Sequence, residues 1–93
     1  MLHWIAYDLD KPGQDYKDLI ARLKELGAVK ILKSDWLLEN TASPEAVRND
    51  LKRFLDTNDR IMVSEVYHNA AWSNLLADSN TVLAMYDRSA RKC

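Results

Sequence analysis

The chain has 93 residues, 47% of them hydrophobic and 29% charged, and its 13 Lys+Arg against 14 Asp+Glu leave a formal charge of -1. That length holds one domain at most, and the near-neutral balance excludes a protein that coats nucleic acid by bulk charge, while leaving room for local basic patches. The apolar runs are far shorter than the ~18 residues that span a bilayer, and the one cysteine, Cys93, excludes an internal disulfide or a thiolate metal site.

Met1 to Tyr7 is too short for a signal peptide and has no basic start, so a soluble, cytoplasmic protein with no membrane partner is expected. Leu2 to Tyr7 reads as a strand, with Trp4 and Ala6 on one side and Ile5 and Tyr7 on the other. Being apolar on both sides, it is expected to be buried on both. Lys11-Pro12-Gly13 forms a turn, and Gln14 or Asp15 can cap the next element. From Asp15 to Leu26 the stripe Tyr16, Leu19, Ile20, Leu23, Leu26 has helical spacing, and Gly27 suits the position just past a helix end. Ala28 to Lys33 is a second strand, and Trp36 to Glu39 a third after a turn at Ser34-Asp35.

Ser43-Pro44-Glu45 combines a hydroxyl cap, a proline at the first helical position and an acid in the first turn. The second helix it starts buries Val47, Leu51, Phe54 and Leu55, and Arg60 to Tyr67 returns as a strand with Ile61 and Val63 opposed to Met62 and Val66. Asn69 to Leu76 suggests a short helix capped by Asn69. Thr81 to Tyr86 is open between a fifth strand and a helix, and Arg88, Arg91 and Lys92 form a basic tail expected to fray.

The order strand, helix, strand, strand, helix, strand predicts an α+β, ferredoxin-like βαββαβ domain over residues 1–76, with 77–93 as a C-terminal extension. Its four-stranded antiparallel sheet carries both helices on one face. The other face is apolar as well. A second copy of the chain or the C-terminal segment must cover it, and a chain this short buries only about two-thirds of its unfolded surface, so association is expected to help.

Tyr7-Asp8-Leu9-Asp10-Lys11-Pro12-Gly13-Gln14-Asp15-Tyr16, Ser34-Asp35-Trp36, Leu55-Asp56-Thr57-Asn58-Asp59 and Ala70-Ala71-Trp72 together resemble a family of small bacterial proteins labelled SinR-like. The similarity covers residues 2–76. More distantly the chain looks like the CRISPR-associated Cas-two proteins and the VapD toxins, dimers with a ferredoxin-like fold and an Asp ending the first strand. In those families that Asp is assigned to divalent-metal-dependent phosphodiester cleavage, so the resemblance implies a homodimer that binds RNA or DNA, with Asp8 as catalytic residue and metal ligand.

Paired carboxylates and waters suit Mg²⁺ or Mn²⁺, and Asp10, two residues on, is a second candidate ligand. The plainer reading has Asp8 accepting hydrogen bonds in its turn and Asp10 solvated. His3 and His68 suit general acid or base work, although neither has a nucleophile and a carboxylate at catalytic spacing, and a structural histidine is the simpler assignment. Trp36 and Trp72 suit either base stacking or an interface. Trp4, Ile5, Tyr7, Trp36 and Trp72 are the candidate interface residues.

Lys30 and Lys33 with Arg22 and Lys24, and Lys52, Arg53 and Arg60, are interleaved with acids and read as mixed-charge surface. The third strand lacks the Lys/Arg-Gly-aromatic run of an RNA-recognition domain. No Gly-rich phosphate loop or His-Glu-x-x-His helix occurs. The remaining alternative is a non-catalytic dimeric interaction module that keeps the fold alone.

Overall fold

The computed structural model describes residues 1–10, 16–67 and 69–91. The elements are β1 (Leu2–Asp8), α1 (Lys17–Glu25), β2 (Val29–Leu32), β3 (Asp35–Glu39), α2 (Pro44–Lys52), β4 (Arg60–Val66) and α3 (Ser79–Arg91). They form a mixed α+β fold with a four-stranded antiparallel sheet in the order β2-β3-β1-β4. The expected turn at Lys11-Pro12-Gly13, the caps Gln14 and Asp15, and the candidates His68, Lys92 and Cys93 lie outside the described residues.

The helix ends follow their local chemistry. Ser43 Oγ accepts from the Ala46 amide at 3.1 Å, with Pro44 at the first helical position. At the end of α1, Gly27 takes φ +85°. Its amide donates to the Lys24 carbonyl at 3.0 Å, and the Ala28 amide reaches the Leu23 carbonyl at 2.9 Å. Those two bonds satisfy carbonyls that the helix end would otherwise leave open.

Strand alternation sorts the core into two clusters. On the helix side, Ile5 of β1 lies between Trp36 of β3 and Val63 of β4. With Leu38 they pack beneath Leu19 and Leu23 of α1 and Val47 and Leu51 of α2. The opposite side gathers Leu2, Ile31 and Leu37 under Val82 and Met85 of α3. Each fully buried Leu or Ile side chain contributes ~1.5–3 kcal/mol relative to exposure, so neither cluster is incidental.

Three expectations change. The stretch 81–86, open between strand and helix, lies within α3, whose Val82 and Met85 meet the sheet at a spacing of three. Residues 69–76 are irregular rather than helical: Asn74 takes φ 64°, and the Leu76 amide donates to the Ile31 carbonyl at 3.0 Å. One tertiary bond of this kind outweighs the marginal stability of an isolated helix so short. Arg88, expected in a frayed tail, instead forks onto Glu39, its Nε 3.0 Å and Nη2 2.8 Å from Oε1.

The segment after β4 therefore crosses the outer sheet face to the β2 edge, where Leu76 bonds Ile31, and α3 returns over it. Ser89 Oγ reaches back to the Val66 carbonyl at 3.4 Å. Half of that face is covered by this route. The other half is not.

Candidate functional site

The uncovered half holds Trp4 and Ala6 of β1 and Met62 of β4, directly paired in register with Ala6. Met62 is 68% exposed and Trp4 43%. Trp4 sits on the inner strand β1 and Met62 on the edge strand β4; an antiparallel sheet can leave one face to water, and these two mark the boundary of the C-terminal cover. Among the described residues β4 is an edge strand, paired with β1 alone, and its outer backbone groups are not part of the sheet ladder.

Asp8 and Arg60 close one end of this strip. They are register partners, and Arg60 Nη1 donates to Asp8 Oδ2 at 3.0 Å with both side chains largely exposed. A shallow hollow of about 270 Å³ lies beside them, lined by Ala6, Tyr7, Ile61 and Met62. Asp8 is thus neither buried nor locked within its own turn. Asp10 is exposed, and its amide donates to Asp59 Oδ1 at 2.8 Å. Asp59 also accepts from Tyr16 Oη at 3.0 Å and from the Asp56 amide at 2.8 Å, joining the start of α1 to the turn before β4. Among the described residues no group of three or more His, Cys, Asp or Glu converges as a metal site.

The aromatic candidates divide by face. Trp36 and Ile5 are buried under α1 and α2, and Trp36 Nε1 donates to the half-buried Tyr7 Oη at 3.1 Å. Trp4 and Trp72 lie on the outer side, Trp4 with its indole N–H on Asp35 Oδ2 at 2.7 Å. Sequence spacing could not separate these sets for Trp36 and Trp72, because only the sheet register says which side each element presents.

His3 is fully buried. Its Nε2 is 2.9 Å from Asn40 Oδ1, which also accepts from the Ala42 amide at 3.1 Å, so Nε2 carries the proton. Nδ1 is buried with no partner among the described residues. The Met1 ammonium donates to the Asn40 carbonyl at 2.7 Å, and His3 belongs to this clasp between the chain start and the end of β3.

The sequence reading did not find a cavity of about 470 Å³ between the outer sheet face and the segment after β4. Ile31, Leu37 and Val82 form its base, and Trp4, Trp72 and Tyr86 its walls. Trp72 and Tyr86 stack with ring centroids 6.0 Å apart and planes inclined 26°, and Trp72 Nε1 donates to Ser79 Oγ at 3.3 Å. Burial pushes the Tyr86 phenol above its ordinary pKa. The one sequence signal was the aromatic content of residues 67–86, which does not distinguish a cavity from a core.

Several arginines are engaged with acids. Arg22 bonds Asp50 through Nη2 at 2.8 Å and pairs with Glu25, and Arg53 also pairs with Asp50. The Arg22 guanidinium holds the Asp50 carboxyl below the usual carboxylate range, helped by Arg53 and opposed by partial burial. No protein-family model matches the chain, and no solved structure matches it. No helix among the described residues is long and apolar enough to cross a membrane.

Proposed function

We propose that the chain is a ferredoxin-like interaction module that acts as a homodimer through the open half of its outer sheet face. The strand and helix order together with the antiparallel sheet order β2-β3-β1-β4 supports the ferredoxin-like assignment. The exposed Met62 and Trp4 at the centre of a strand-lined strip carry the association reading. An apolar strip rimmed by charged residues, here Asp8, Arg60 and Asp35, is the usual anatomy of a protein contact. Sedimentation equilibrium tests it. Wild type is expected to form a dimer at micromolar concentration and Met62→Asp a monomer; a wild type that stays monomeric refutes the assignment.

A second reading, metal-dependent cleavage of RNA in the manner of the Cas-two and VapD proteins, is supported by the exposure of Asp8 at the end of the same strip. In one chain Asp8 has Arg60, not another carboxylate, as its partner. Mg²⁺ or Mn²⁺ there would have to displace that ion pair and draw further oxygen ligands from a second copy or from the nucleic acid. Such an ion supplies a Lewis acid for the phosphate. Cleavage of short RNA and DNA with Mg²⁺ or Mn²⁺, run beside Asp8→Ala, decides between module and nuclease. Activity lost in Asp8→Ala supports the nuclease; activity absent from both supports the module.

A further inference from the structure

We propose that the cavity between the outer sheet face and the Trp72 segment is a binding site for an uncharged aromatic small molecule. This site borders the open strip and shares Trp4 with it, while the rest of its lining lies outside the strip. Three observations carry it.

The first is size and shelter. At about 470 Å³ the cavity lies within the ~300–1,000 Å³ range of small-molecule sites. Its base is the buried cluster of Ile31, Leu37 and Val82, so a ligand would replace water against apolar surface.

The second is the state of the aromatic walls. Both indole N–H groups already have acceptors, Asp35 for Trp4 and Ser79 for Trp72. Those bonds fix the two rings and occupy their polar edges, leaving ring surface as the chemistry on offer. Tyr86, itself a wall of the cavity, stacks on Trp72 and holds it in place. Rings set in place before binding lose little freedom when a ligand arrives, and offset stacking adds to the area term.

The third is charge. Among the described lining residues, Glu65 is the one with a charged side chain. It pairs in register with His3, whose neighbours Leu2 and Trp4 face the cavity side, so by alternation Glu65 directs its carboxylate to the helix side and borders the cavity with main chain. A charged ligand would find no counter-charge pointing at it among the described lining residues, which disfavours it. Asn69, at the wall, offers an amide that can both donate and accept, matching a ring heteroatom or substituent.

The probe is N-phenyl-1-naphthylamine, uncharged and bright only in apolar surroundings, titrated into the full chain while its fluorescence and the tryptophan emission are followed. Saturable binding of one probe per chain is expected, at least ~10-fold tighter than for 1-anilinonaphthalene-8-sulfonate, the same ring system bearing a charge. Ala70→Trp and Ala71→Trp, both at exposed wall positions, narrow the cavity without touching the core, and at least one should weaken the probe by ~10-fold or more with an unchanged urea midpoint. Met62→Asp, outside the cavity, should leave affinity within about threefold whether or not it alters the oligomeric state. The proposal is overturned by absent or unsaturable binding, by equal affinity for the sulfonate, by indifference to both alanine substitutions, by loss of binding in Met62→Asp, or by one probe per two chains.

Discussion

Met85→Ala tests whether α3 is an integral cover of the sheet or a loosely attached tail. Met85 is 4% exposed and Val82 1%, both packed on Leu2, Ile31 and Leu37. Truncating a buried Met to Ala costs ~2–5 kcal/mol, the upper part of that range applying where the site cannot collapse. Here one wall of the site is the irregular segment 69–78, which can settle inward, so about 2–3 kcal/mol is expected. The ion pair between Arg88 and Glu39 also ties α3 to the sheet, but Arg88 is 52% exposed. Glu39 is 21% exposed, and a half-exposed forked pair of this kind contributes about 1 kcal/mol. Burial therefore dominates the attachment, and Arg88→Ala should cost clearly less than Met85→Ala. Urea unfolding followed by circular dichroism gives both values, and amide hydrogen exchange shows where protection is lost. In Met85→Ala the loss should be greatest in α3 and at Ile31 and Leu37, with α1 and α2 better preserved. A cost for Met85→Ala no larger than that for Arg88→Ala, or protection lost first in α1 and α2, would refute this account of the cover.

Other consequences can be checked on the same samples. Leu51→Ala removes a fully buried contact between α2 and the sheet and should cost ~2–5 kcal/mol, read as a lower urea midpoint. Ser43→Ala should cost ~1 kcal/mol by leaving the Ala46 amide without its acceptor, with thermal unfolding as the measurement. Gly27→Ala should destabilise by about 1 kcal/mol. No atom lies within 4 Å of the added methyl, so the cost is conformational and should not be relieved by trimming neighbours. Asp50 has a folded-state pKa below its ordinary 3.8. The unfolded chain thus binds its proton first as pH falls, and the contribution of Asp50 is full above 3.8 and lost as pH drops through the lower folded value. Asp50→Asn should lower the urea midpoint at neutral pH, and the gap from wild type should shrink in acid; a gap independent of pH would contradict the Arg22 contact as its source.

Much of the frame was legible in the residues. Ser43-Pro44-Glu45 marked the start of α2, and Gly27 the end of α1, because caps are satisfied by neighbours a few residues away. The period-two pattern of β1 placed Ile5 and Tyr7 opposite Trp4 and Ala6, as the two sides of the sheet have them. The C-terminal third was less readable. Residues 69–76 suggest a short helix but follow a bond from Leu76 to Ile31, and Thr81 with Val82 suits a strand while Val82, Met85 and Tyr86 suit a helix until a surface is present to receive them. The same holds for the candidate site. Asp8 could be placed at a strand end, but its pairing with Arg60 depends on the register between β1 and β4, which joins residues far apart in the chain.

From its sequence alone this protein has its strand and helix order, the cap chemistry and apolar residues on both sides of its sheet, since each follows from short-range periodicity and steric preference. Only the tertiary structure divides the outer side into a part roofed by α3, an aromatic-walled hollow and a bare strip around Met62. Periodicity tells which side chains share a side, but apolar surface is indifferent to what covers it, and which of them leave water is decided by long-range geometry.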